Sequence, residues 1–116
     1  MRRRQRVDVV IVLQTTLLLS LGRRIAELAL AKRLPTIYGY REHVVAGGLM
    51  SYGVDLRWCY RHSASFVDKI LHGTPPGDLP VEFPNKMVLS VNLKTATALA
   101  VKISEAFLLR ADEVIE

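Results

Sequence analysis

From Val7 the chain reads Val-Asp-Val-Val-Ile-Val-Leu, an almost continuous β-branched run ending at Leu13. Such a run predicts a strand over 7–13, buried on both faces as the strands of a parallel sheet are. Gln14-Thr15-Thr16 then makes a polar turn. Beyond it Leu21, Ile25, Leu28 and Ala29 recur at helical spacing, with Arg23, Arg24, Glu27 and Lys32 facing outward. That helix should stop near Arg33, because Leu34 precedes Pro35 and the residue before a proline avoids the helical region. Thr36-Ile37-Tyr38 reads as a second strand and Gly39 to Ala46 as a loop with one helical turn. Gly47-Gly48 is a turn, and Leu49 to Tyr52 a third strand closed by Gly53.

Asp55 is a good N-cap and Gly73 a good C-terminal stop, so a longer helix is expected between them. Its apolar stripe is Leu56, Tyr60, Ala64, Val67 and Leu71. Four of the five prolines (Pro75, Pro76, Pro80, Pro84) follow in an extended linker over 73–86, where no helix persists. Met87 to Leu93 reads as a fourth strand. Thr95 is expected to cap a short helix through Val101, and Ser104 a last helix to about Ile115. Strands alternating with helices imply an α/β fold, a mainly parallel sheet with flanking helices and right-handed crossovers.

Arginines before the first apolar run raise a second reading of the N-terminus, a secretory signal with Ala29-Leu30-Ala31 as cleavage site. Asp8 ahead of the run, the polar break at Gln14-Thr15-Thr16 and the charges at Arg23, Arg24 and Glu27 argue against it. The stretch from Val9 to Leu21 is also too short to span a bilayer. The strand reading is preferred. Four of the five net positive charges sit on Arg2, Arg3, Arg4 and Arg6, leaving +1 on residues 7–116. The body is nearly neutral, with a basic, disordered tail expected over 1–6, and offers no nucleic-acid-binding surface. Half of the 116 residues are apolar, enough for one domain or one lobe with a real core and too many for wholesale disorder. Cys59 is the single cysteine, so neither an internal disulfide nor a cysteine zinc cage can form.

Ligands of open α/β sheets sit beyond the carboxyl ends of the strands. That rule selects Gln14-Thr15-Thr16, Tyr38 to Glu42 and Ser51-Tyr52-Gly53. Thr15 and Thr16 stand between strand and helix, where they either hold a carboxylate on free N–H groups or simply cap the helix. Tyr38, Tyr40 and Tyr52 either line a pocket or form the edge of the core. Glu42 either binds an ammonium group or pairs with Arg41 or solvent. No nucleophile–base pair stands in these segments, and no cofactor motif is found: Gly47-Gly48 lacks the Lys-Ser/Thr of a phosphate loop. Cys59 and His62 share a helix face as a metal pair or dyad would, but two ligands are too few for zinc. They read as a half-buried thiol beside a surface histidine. His43 and His72 have no partner in sequence and read as loop or helix-end residues.

Gly47-Gly48-Leu49-Met50-Ser51-Tyr52-Gly53 has a distinctive look. So do Phe66-Val67-Asp68-Lys69-Ile70-Leu71-His72-Gly73, Asp78-Leu79-Pro80-Val81-Glu82, Val91-Asn92-Leu93-Lys94-Thr95-Ala96 and Ala111-Asp112-Glu113-Val114-Ile115. In this order they resemble the C-terminal part of ABC-transporter substrate-binding proteins of the tryptophan/tyrosine-uptake type. The resemblance covers residues 7–116. It implies part of a type I periplasmic binding protein, non-catalytic and without cofactor, in which two α/β lobes close on a small amino-acid-like or carboxylate solute. The implied partners are a permease and an ATPase, and the implied location is the periplasm. The segment 49–53 would be a hinge strand, the helix 55–72 would pack on a first lobe, and the linker 73–86 would lead back. The chain departs from the family where Gln14-Thr15-Thr16 replaces a Pro-Asp-Pro-like turn, and it has no counterpart of the first lobe and no convincing export signal. It is therefore expected to be a truncated binding module with ligand-edge residues Gln14, Thr15, Thr16, Tyr38, Tyr40, Glu42, Ser51 and Tyr52. The orphaned stripe of the helix 55–72 should seek cover, in a homo-oligomer or a rearranged compact monomer, and the alternative function is a non-catalytic α/β fragment that self-associates through this helix without binding a solute.

Overall fold

A computed structural model describes residues 5–116, and the basic tail expected over 1–6 lies mostly outside them, at residues 1–4. Five strands form one sheet: β1 (Val10–Val12), β2 (Thr36–Tyr38), β3 (Met50–Val54), β4 (Met87–Asn92) and β5 (Glu113–Ile115). They lie side by side in chain order. β1–β2, β2–β3 and β4–β5 pair parallel, whereas β3 and β4 pair antiparallel from Met50↔Val91 to Val54↔Met87. The carboxyl ends of β1, β2 and β3 therefore share one edge with the amino ends of β4 and β5.

The helices are α1 (Thr16–Ser20), α2 (Gly22–Ala31), α3 (Arg41–Val45), α4 (Leu56–Leu71), α5 (Leu93–Ala98) and α6 (Glu105–Leu108), with a 3-10 turn at Pro76–Asp78. None of the helices among the described residues is long and apolar enough to cross a membrane. The expected helix up to Arg33 is broken at Leu21, whose backbone leaves helical geometry (φ −94°, ψ 8°). Arg33 at φ 52° ends α2 before Pro35. α4 matches its sequence signals: Asp55 Oδ1 accepts the Arg57 N–H at 3.0 Å and the Trp58 N–H at 3.2 Å, and Gly73 turns away at φ +100°.

Side chains in register across the sheet set its layers. Val12, Tyr38, Ser51, Ser90 and Glu113 form one row on one face. α3 lies over this row, with its His43 ring stacked on Tyr38 at 4.7 Å between centroids. Asn92 Nδ2 donates to the Val44 carbonyl at 3.2 Å. The core is centred here, on Tyr38, Leu49, His43 and Val44, and Val91 is buried on the opposite face.

Four expectations are corrected. The first strand is shorter than 7–13 and not buried on both faces: it is an edge strand, with Val12 buried but Ile11 69% exposed. β3 runs through Gly53 to Val54, because Gly53 pairs with Val88 instead of closing the strand. Asn92, not Thr95, caps α5: its side-chain oxygen accepts the Thr95 N–H at 3.0 Å, while Thr95 Oγ1 donates to the Gly47 carbonyl at 2.9 Å. Ser104 does cap α6, but that helix ends at Leu108 and the chain re-enters the sheet as β5. The Asp112 N–H donates to the Leu89 carbonyl at 2.9 Å and its carboxylate accepts the Leu89 N–H at 2.8 Å, which starts the β4–β5 ladder.

The molecule extends 60 × 41 × 19 Å with a radius of gyration of 18.0 Å, well above the roughly 13 Å of a compact domain of about 100 residues. α4 contributes to that extension, because none of its residues is buried. The linker folds back along one side of it, where Glu82 pairs with His62, whose ring lies between Trp58 and Phe66. Two truncations should separate core from arm. Leu49→Ala empties a site that is 2% exposed and is expected to cost about 2–5 kcal/mol. Leu71→Ala changes a side chain that is 79% exposed and should stay within about 0.5 kcal/mol in urea denaturation.

Candidate functional site at the carboxyl edge of the first three strands

The edge shared by β1, β2 and β3 is packed tightly at one end. Gln14, just past β1, donates from Nε2 to the Gly39 carbonyl at 2.8 Å, tying the loops after β1 and β2 together. A side chain on Gly53 would run into that same Gly39 carbonyl and come within 2.7 Å of Gln14 Nε2. Gly39 is hemmed in by the Gln14 side chain in the same way. The loops after β1 and β2 meet the end of β3 here because Gly39 and Gly53 carry no Cβ.

The eight residues selected from sequence divide into those at the edge and those behind it. Gln14, Thr15 and Thr16 are exposed at the start of α1, and Thr15 Oγ1 accepts the Leu18 N–H at 3.1 Å as its N-cap. Tyr40 and Glu42 flank the start of α3, with the Tyr40 ring 6.4 Å from that of His43. Tyr52 is 60% exposed on the sheet face opposite Ser51. Tyr38 and Ser51 lie inside, under α3, at 2% and 1% exposure. The Tyr38 hydroxyl accepts a hydrogen bond from Thr36 Oγ1 at 2.9 Å, and burial pushes its pKa up. Ser51 Oγ and His43 Nδ1 are buried without a hydrogen-bond partner among the described residues.

The other end of the edge is charged. A cavity of about 500 Å³ is lined by Arg41, Glu42, Asp55, Arg57, Lys86 and Glu113, among others. Arg41 grips Glu113 in a two-pronged ion pair, Nε on one carboxylate oxygen and Nη2 on the other, the second at 2.6 Å. Ser90 Oγ donates to the same carboxylate at 3.3 Å. These bonds hold Glu113 below the usual carboxylate range and raise Arg41 further. With Arg41 so engaged, Glu42 takes part in no ion pair among the described residues.

Arg41 lay within the segment that the strand-end rule selects, and only its pairing was hidden. Glu113 was out of reach of sequence reasoning, because the helical reading of 105–115 kept it away from the sheet. A second cavity of about 470 Å³, bordered by Ala26, Leu30, Val45 and Thr95, lies at the opposite edge of the sheet. Among the described residues no three His, Cys, Asp or Glu side chains gather as metal ligands would. Cys59 is half-buried, and His62 faces Glu82 rather than a metal. His43 corrects its loop or helix-end reading: it is a core residue in α3, 1% exposed, whose burial lowers its pKa. Gly22 gives it room, since a Cβ there would sit 2.9 Å from Nδ1.

A mixed sheet flanked by helices, with polar groups gathered at the carboxyl edge of its parallel strands, defines a lobe of the periplasmic-binding-protein type. The chain belongs to the ABC transporter substrate binding protein family, whose profile matches residues 2–115. It is similar to a conserved domain protein from Vibrio cholerae O1 biovar El Tor, at 28% identity and a TM-score of 0.86 over 92% of this chain and 36% of that one. It is similar also to an ABC domain from Streptococcus pneumoniae in complex with L-Trp, at 25% identity and a TM-score of 0.85, over 94% of this chain and 38% of that one. A ligand-free, open substrate-binding protein with adhesive properties from Clostridium difficile shares the fold, at 21% identity and a TM-score of 0.63. The chain thus spans 36–38% of the length of these solved relatives. No curated protein matches it.

Acid should destabilise the fold in two stages. The lowered pKa of buried His43 gives stability that is complete above a pH of about 6.5 and fades as the pH falls below it. Glu113, held low by Arg41, gives stability that persists until the pH drops below about 4. The melting temperature should fall between pH 7 and 5, and His43→Phe should flatten that stage while leaving the more acid one. Gly53→Ala, which drives a methyl group into the Gly39 carbonyl, is expected to cost about 1–3 kcal/mol. It should also shift the NMR signals of the Gln14 side-chain amide.

Proposed function

We propose that this chain is part of the solute-binding component of an ABC-type uptake system, and that the carboxyl edge of β1, β2 and β3 forms one wall of its cleft. The observation that carries the reading is the meeting of the loops after β1 and β2 with the end of β3, at Gln14, Gly39 and Gly53. On this reading Thr15, Thr16, Tyr40 and Glu42 would line that wall, with Tyr52 reaching it from within β3 on the face opposite Ser51. Family membership and the L-Trp held by the Streptococcus pneumoniae relative support a small amino-acid-like or carboxylate solute. Glu42, outside any ion pair among the described residues, would take the ammonium group. The Gln14 and threonine side chains would take the carboxylate, with Tyr40 and Tyr52 as stacking faces. Tyr38 and Ser51 would support the wall from behind, given their burial.

In this reading β3 leads out of the lobe into α4 and the linker 73–86 leads back into β4, so both crossings lie beside the cleft. α4 would rest on the remainder of a longer polypeptide, in keeping with the share of the solved relatives that this chain spans. Permease and ATPase partners, a periplasmic location and the absence of catalysis come with the same family assignment. A second reading, self-association through α4 without a solute, draws on the exposure of Tyr60 (76%) and Leu71 (79%).

Titration with a panel of amino acids that includes L-tryptophan tests both. Amide shifts should appear at Gln14, Tyr40, Glu42 and Tyr52, with affinity on the order of 1 mM for one wall alone. Micromolar affinity, or shifts confined to the opposite edge near Ala26 and Thr95, would overturn the proposal. A melting temperature that rises with protein concentration and ignores every amino acid would favour self-association.

A further inference from the structure

α3 is five residues long, and its N-cap residue, Tyr40, makes no side-chain cap bond. A helix this short has no stability of its own, so its amino end must be held from elsewhere. Among the described residues the side-chain bonds at that end are the two from Arg41 to Glu113. Glu113 is a firm anchor. Its backbone stands in the ladder opposite Ser90, and Ser90 Oγ also donates to its carboxylate. Glu113 stands in the same row as Ser51 and Ser90, so the bonds from Arg41 join the segment after β2 to the far strand of the sheet. The two side chains are 29% and 30% exposed, far enough from open water for a planar, two-pronged pair to fix direction as well as charge.

The consequence reaches the cleft. Glu42 and Tyr40 flank Arg41, and Glu42 lines the same cavity as Arg41 and Glu113. We propose that the Arg41–Glu113 pair is a positioning brace that sets the Tyr40–Glu42 segment at the cleft edge, so that solute affinity depends on a carboxylate 72 residues further along the chain. Arg41 acts through its neighbours, and the solute part of this inference rests on the function proposed above. The brace also occupies the Arg41 charge, which leaves the Glu42 carboxylate for the ammonium group of a solute.

The test uses the full chain in three forms besides the unaltered one: Glu113→Gln, Arg41→Lys, and the exchange Arg41→Glu with Glu113→Arg. Without any solute, hydrogen-exchange protection at residues 41–43 and 113–115 should fall together by about tenfold or more in each single variant. Protection at residues 10–12 and 36–38 should hold, and the exchange variant should recover part of the loss. Affinity for L-tryptophan, read well below the melting temperature, should drop by about tenfold in Glu113→Gln, while the solute-free melting temperature falls no further than it does in the unaltered chain once acid protonates Glu113. Unchanged protection at 41–43 overturns the brace, and so does a loss spread evenly over the sheet, the mark of a merely structural pair. Lost protection at 41–43 with unchanged affinity overturns its role at the cleft. An unaltered chain that binds no amino acid ends the solute reading, and the exchange measurement then decides the brace by itself.

Discussion

A helix of five residues organises this fold, and it does so by being clamped at both ends. At its start Arg41 grips Glu113 on the last strand. At its end Asn92 holds the Val44 carbonyl at 3.2 Å, and Thr95 holds the Gly47 carbonyl at 2.9 Å. Between them the His43 ring lies flat against Tyr38. α3 is thus stacked on the neighbouring β2 and bonded to β4, β5 and α5 by contacts that span 48 or 72 residues of sequence. Remove the clamp, and a segment too short to nucleate a helix has no reason to remain one.

The same clamp shapes the chemistry of the cleft edge. At one end of that edge Gly39 and Gly53 let the loop after β2 meet β3 and the Gln14 side chain. The other end is charged, with Arg41 committed to Glu113 and Glu42 facing a cavity of about 500 Å³. α4 stands apart from this design. It has no buried residue and a complete set of local signals, so its fold is specified by its own sequence while its packing partner is not.

Particular elements show where local reading works. The helix from Leu56 to Leu71 was legible because a capping aspartate, an apolar stripe and a stopping glycine are each local, short-range effects. The same holds for Thr36–Tyr38 and for the start of β4. Glu105–Ile115 was misread for the opposite reason. Its capping serine and its helix-forming residues are real, yet the ladder to β4 wins from Asp112 onward, and a ladder depends on a strand distant in sequence. His43 looked like a loop residue because Tyr38 and Tyr40, though close in sequence, stack on its ring only once α3 folds back over the sheet, and no local pattern announces that packing.

The sequence by itself determined the alternation of strands and helices, the mainly parallel sheet, the family, and the segments that follow the first two strands. All of these follow from periodicity, caps, turns and motif order within a few residues, whereas Ser51-Tyr52-Gly53, read as a strand end, lies within β3. Only the tertiary structure decided which of those candidates reach the edge and which are buried, that Thr95 serves Gly47 while Asn92 caps α5, and that Arg41 belongs to Glu113. Such choices depend on register and on which face of the sheet a helix covers. A one-residue change of register turns every side chain to the other face, and no local pattern records that.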